Sequence, residues 1–294
     1  MDTQRNQPPD PTGIGLARFQ GHQTHLYLLD QFSLQRDGVQ LCLPEGARRL
    51  VALLALQQAV LPRDYVAGVL WPEVSEPQAH HSLRTAVWRL HKLVPSLLTS
   101  SAAELGLTAA VTVDVRELAG HAHRLLSRPH EPDDADLRWP CIGGELLPGW
   151  YDDWVLLERE RIRQLHLHAL QTATEVLSAR GRFGEALETA LHAVQVDPLR
   201  ESAHRLVMHV HLAEGNVHEV LRQYEFCRLL LWRELQVRPS RRMRELLRAA
   251  AAQPPGRDGD RPGWPLLTSR PLPEACAPRR RASGDGLVTP AGHA

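Results

Sequence analysis

The stretch "HSLRTAVWRLHKLV", residues 81–94, decides how the first half of the chain is read. Leu83, Val87, Leu90 and Val94 recur at helical spacing and make one apolar stripe. The remaining arc carries His81, Ser82, Arg84, Thr85, Trp88, Arg89, His91 and Lys92, with no acid anywhere in the segment. Lys92 is also the one lysine among 294 residues. A basic helical face is often a solvated surface. What surrounds the helix decides between that reading and a functional one.

Upstream, "HLYLLDQFSLQRDGVQLCLP" (25–44) alternates apolar and polar residues around Asp37-Gly38, a hairpin signal. Helical spacing follows in "EGARRLVALLALQQ", with Leu50, Leu53, Leu54 and Leu56 on one face, and then in "PRDYVAGVLW", where Pro62 suits a first turn. The basic helix is the third, with Ser75 as its expected cap and Pro95 as its stop. After it, "LLTSS" and "AVTVDV" read as two strands of a terminal hairpin joined around Gly106. Strands, three helices and a hairpin are the order of a winged helix-turn-helix, expected over 25–118.

Val115–Arg128 is helical again, and the Pro-, Asp- and Gly-rich stretch that follows reads as a boundary, so 119–149 is expected to be helix and linker. Beyond it lies an internal repeat. "SARGRFGEALETA" (178–190) and "LAEGNVHEVLRQY" (212–224) align at an offset of 34, pairing Ala179 with Ala213, Gly181 with Gly215, Glu185 with Glu219 and Leu187 with Leu221. That period is the one of tetratricopeptide helix pairs, so 150–252 is expected to be a helical repeat domain, completed by helices at 151–180 and after Pro239. The tails 1–24 and 253–294 are rich in Pro and Gly and are expected to be disordered. The fold class expected is therefore mostly α: a winged helix with small strands, then a tetratricopeptide-like domain.

Formal net charge is zero, so the distribution of charge says more than its sum. With 43% hydrophobic residues the chain can bury a core, no apolar run reaches membrane-spanning length, and no signal peptide is evident; a cytoplasmic protein is expected. Cys42, Cys141, Cys227 and Cys276 lie far apart, without metal-ligand spacing. The pairs His121/His123, His166/His168 and His209/His211 sit two apart, where a helix points them in different directions. Neither a metal, a cofactor nor a catalytic constellation is expected, and no nucleotide-binding loop of the form G-x-x-x-x-G-K-[ST] occurs. The stripe of Tyr151, Trp154 and Leu157 is expected in the core. The cluster Asp152, Asp153, Glu158 and Glu160, interleaved with Arg159, Arg161 and Arg163, reads as a charged helix surface.

A helix fits the DNA major groove, where arginine grips guanine with a bidentate fork. Arg84, Thr85 and Trp88 are the candidates for base contact. Arg89, Lys92, His81, Ser82 and His91 could equally hold phosphates, as could Arg48 and Arg49 early in the first helix. Trp88 has a second reading, packing on a neighbouring helix or a second protomer.

The segments "GELLPGWYDDWVLLERERIRQLHLHAL", "EALETALHAVQVDPLRESAHRLVMHVHLAEGN" and "LRQYEFCRLLLWRELQVRPS" resemble the bacterial transcriptional activator domain. With the winged helix before it, the chain resembles the Streptomyces antibiotic regulatory protein family over about residues 25–250. The resemblance implies a non-enzymatic activator that binds direct repeats in promoter DNA as side-by-side protomers and recruits RNA polymerase, with 76–94 as recognition helix. It implies a short, stand-alone member. His80, His81 and His91 stand where members often have arginine, and the wing "LLTSSAAELGLTAAVTVDV" has no basic residue. The competing reading is a repeat-based adaptor that binds protein rather than DNA.

Overall fold

The computed structural model describes residues 23–129, 132–138 and 144–252. The two tails, and Cys141 and Cys276, lie outside these residues, except that Gln23 and Thr24, assigned to the first tail, are described and Thr24 already belongs to a strand.

Strands β1 (Thr24–Tyr27), β2 (Ser33–Arg36) and β3 (Val39–Leu41) form an antiparallel meander. Asp37 and Gly38 close the β2–β3 hairpin at φ 50° and 78°, the two left-handed residues that a twisted hairpin requires. Helices α1 (Glu45–Gln57), α2 (Arg63–Leu70) and α3 (Glu76–Leu93) follow, with the short strand β4 (Leu61–Pro62) between the first two. Next come β5 (Leu98–Ser100), β6 (Glu104–Leu107) and β7 (Val111–Val113).

The terminal strands pair differently from the sequence expectation. The hairpin is β5–β6, turning at 101–103, and Gly106 lies inside β6 rather than in a loop. A Cβ there would come within 2.8 Å of the Thr99 hydroxyl, so glycine allows the close strand approach. β6 also pairs with β4. The "AVTVDV" segment instead joins the other sheet, where β7 runs parallel to β1. Asp114 explains the pairing. Its carboxylate accepts the N–H groups of Leu28 and Leu29, just past the end of β1, at 2.9–3.0 Å, and that of Val115 at 2.7 Å. Burial pushes this carboxyl above the usual aspartate value, although the three amides oppose it.

α4 (Asp114–Ser127) and the short α5 (Asp134–Arg138) lead to α6 (Asp153–Ala179), α7 (Phe183–Val196), α8 (Glu201–Ala213), α9 (Val217–Leu235) and α10 (Arg241–Ala252). The 34-residue repeat is a repeat of helix pairs. Gly181 ends α6 at φ 72°, and Gly215 ends α8 at φ 81°. Each turn closes alike: Arg182 N–H returns to the Leu177 carbonyl, and Asn216 N–H to that of His211.

One apolar core runs from the winged helix into the start of the stack, from Leu26, Leu50 and Leu90 to Leu146, Leu147, Val155 and Ile162. The segment 145–147 lies along the chain beyond β1, with Asp30 N–H on the Glu145 carbonyl and Leu147 N–H on that of Leu28, both at 2.8 Å. Arg159 fixes its other side, donating to the carbonyls of Leu146, Leu147 and Trp150. Among the described residues no helix is long and apolar enough to cross a membrane.

Candidate nucleic-acid interface

α3 buries Ala79, Leu83, Ala86, Val87 and Leu90 against α1 and α2. Ser75 occupies the N-cap position without a side-chain capping bond, and Pro77 in the first turn helps to start the helix. Val94 ends it, its N–H on the Leu90 carbonyl, with Pro95 next. This packing leaves His81, Arg84, Trp88, Arg89 and Lys92 exposed along one face, with Ser82, Thr85 and His91 half-buried at its edges.

The residues differ in how free they are. Among the described residues no carboxylate pairs with Arg84, Arg89 or Lys92, so their charge is directed to solvent. Elsewhere arginines are mostly engaged: Arg161 with Glu158, Arg163 with Glu160 and Asp197, Arg182 with Asp134 and Glu185. The Thr85 hydroxyl donates to the His81 carbonyl one turn back, at 3.0 Å. Trp88 is 62% exposed, and the Lys92 ammonium sits 5.4 Å from its ring. His81, Ser82, Thr85 and Arg89 line a shallow cleft of about 280 Å³ with Gly46 of α1 and Trp71.

Arg48 and Arg49 are placed differently from the expectation that they face phosphates. The Arg48 guanidinium lies 5.2 Å from the Phe32 ring and 5.5 Å from that of Trp150. Arg49 forms an ion pair with Asp152 at the N-cap of α6. Both turn inward because Phe32, ahead of β2, and Trp150, just before α6, supply rings, and Asp152 supplies a carboxylate. Of the expected apolar stripe only Trp154 is partly buried; Tyr151 is 78% and Leu157 74% exposed.

The chain matches the model of the bacterial transcriptional activator domain over residues 141–250. Regulatory protein AfsR of Streptomyces coelicolor is 28% identical over 222 residues, which is 72% of this chain and 22% of that protein. Both findings agree with the resemblance of the chain to the Streptomyces antibiotic regulatory protein family. The chain spans about a fifth of the length of that relative. The fold is similar to that of Mycobacterium tuberculosis EmbR, solved in complex with a low-affinity phosphopeptide: TM-score 0.64, 16% identity, 78% of this chain and 65% of that one.

The wing shows a cation that reading the wing segment alone misses. Arg63, the first residue of α2, donates to the Ser101 carbonyl at 2.9 Å and to the Ser100 hydroxyl at 2.7 Å. Its own N–H donates to the Ala103 carbonyl at 2.8 Å. The β4–β6 pairing holds it there, 38 residues away in sequence from Ser101. Its signal in the sequence is no more than Pro62-Arg63, which nothing local connects to the wing.

Proposed function

We propose that this protein is a transcriptional regulator, a sequence-specific activator that binds promoter DNA through α3. The observation that carries the reading is the exposed, acid-free face bearing Arg84, Arg89 and Lys92 without ion-pair partners. Such a face attracts phosphate and leaves a guanidinium ready for a base edge. Arg84 and Thr85 read bases, Trp88 lies against the groove or a second protomer, and Arg89, Lys92, His81, Ser82 and His91 hold the backbone. Arg63 adds positive charge at the wing. The family resemblance supports tandem promoter sites occupied by a homodimer, recruitment of RNA polymerase, and control of an antibiotic biosynthesis cluster. The domains act as the sequence divides them: winged helix 25–118, helix and linker 119–149, helical module 150–252.

The test is a gel shift on fragments from the gene's own genomic neighbourhood, across a salt series. Affinity should fall steeply and linearly on a log–log plot, as counterion release requires. No shift on any promoter fragment, or binding indifferent to salt, would return the winged helix to a protein-binding role.

A further inference from the structure

A cavity of about 440 Å³ lies where the core of the winged helix meets the helical stack. Four parts of the chain wall it: Leu118 of α4, the segment 144–146, one face of α6 between 159 and 166, and the end of α7 from His192 to Val196. Leu118, Leu146, Ile162 and His166 are buried, so the cavity reaches the core instead of grooving the surface. The charged groups on its wall are already matched. Arg159 donates to three carbonyls and pairs with Glu145 at 3.2 Å, and Arg163 pairs with Glu160 at 2.9 Å and Asp197 at 2.6 Å. Three carboxylates thus stand around two guanidinium groups, and an anion would find no spare positive charge there.

The imidazoles carry the remaining chemistry. The rings of His166 and His192 lie 5.5 Å apart, inclined at 54°. His192 Nε2 is buried and has no hydrogen-bond partner among the described residues. Burial pushes the His192 pKa below 6.5, against the pull of Glu188, so the ring is neutral near pH 7. A buried polar atom left unpaired is uncommon in a native protein. A hydroxyl group answers it under either tautomer, because it donates to a bare ring nitrogen and accepts from a protonated one. A mainly apolar volume of this size, with a few polar groups on its wall, matches small-molecule sites in general.

We propose that this cavity binds a small neutral phenol: an apolar ring packed on Leu118, Leu146 and Ile162, with its hydroxyl against the His192 ring. The site stands whether or not α3 binds DNA, and its test needs none. The probe is 2-naphthol, compared with naphthalene, which lacks the hydroxyl, and with 2-naphthoate, which carries a charge. Ile162 is one of three isoleucines in the chain, so labelling the isoleucine methyl groups of the full chain gives a signal in the cavity wall, assigned through Ile162→Val. 2-Naphthol should shift that signal saturably and raise the thermal unfolding midpoint. Naphthalene should bind about two- to tenfold more weakly, the worth of one hydrogen bond. 2-Naphthoate should be weaker by at least about tenfold, because its charge is desolvated without a free cation to meet it. His192→Phe keeps a ring and should erase the preference for 2-naphthol over naphthalene. Gln195→Trp, at an exposed position on the cavity wall, should weaken binding of both by filling the entrance, and serves alone if His192→Phe disturbs the helical circular dichroism. The proposal fails if 2-naphthol leaves the Ile162 signal unmoved, if 2-naphthoate binds as well, if a folded His192→Phe keeps the preference, or if Gln195→Trp binds as the wild type does.

Discussion

Arg49, in the first helix of the winged helix, forms an ion pair with Asp152, the residue that precedes α6. The side chains are about a quarter exposed, at 22% and 26%, and lie beside Arg48 stacked on Phe32 and Trp150. A cation that the sequence offers to DNA thus ties the winged helix to the helical stack. The shared core from Leu26 to Ile162 makes the same connection with apolar contacts.

Arg49→Ala should therefore act on stability rather than on DNA. Loss of a partly buried charged hydrogen bond should cost about 1–2 kcal/mol in denaturant unfolding, the lower part of the usual range because solvent screens the pair. Asp152→Asn should cost a similar amount, and the double variant should cost less than the sum. The salt dependence of DNA binding should keep its slope; a slope lower by about 1 would return Arg49 to the phosphate backbone.

On α3, substitutions should separate by role. Arg84→Ala should weaken operator binding by about 1–3 kcal/mol and relax preference at one base pair. Lys92→Ala should weaken every sequence about equally and lower the salt slope by about 1. If both variants behave alike on specific and non-specific duplexes, α3 holds phosphates and reads no bases.

What the sequence reveals here is whatever local periodicity encodes. The inward stripe Leu83, Val87 and Leu90, the Asp37-Gly38 turn and the paired glycines 181 and 215 all follow from residues within a few positions of one another. What it conceals depends on distant partners. β7 joins β1 because Asp114 binds amides 85 and 86 residues away, and Arg49 turns inward because Asp152 lies 103 residues on. Tyr151 and Leu157 fit an apolar helix pattern, but no element of the described fold covers that side. Arg63 reaches the wing only through the β4–β6 pairing.

The Asp114 carboxylate is open to a direct test. Asp114→Ala removes the acceptor of the Leu28, Leu29 and Val115 amides, and an amide left unpaired in a part-buried site costs about 1–3 kcal/mol. Unfolding should shift by at least that much, and hydrogen exchange at Leu28 and Leu29 should quicken. Asp114→Asn keeps one carbonyl acceptor and should lose less.

His204 gives the helical stack a pH dependence whose sign is fixed by geometry. It is fully buried; its Nε2–H donates to the Pro198 carbonyl at 2.8 Å, and its Nδ1 accepts from the Gln223 amide at 2.8 Å. This arrangement holds the imidazole neutral. Burial, the largest influence, pushes its pKa below the ordinary 6.5, although the Pro198 carbonyl and the acids Glu201 and Asp197 pull the other way. Burial lowers His192 and His209 as well. As pH falls through 6.5 the unfolded chain takes up protons that the folded chain still refuses, so stability declines from there down to the folded pKa. The denaturation midpoint should thus be lower at about pH 5 than at about pH 7.5. His204→Leu should flatten part of that slope, and should cost about 1–3 kcal/mol near neutrality because Pro198 and Gln223 lose their partner. A midpoint that rises on acidification would show that the buried imidazole is held as a cation.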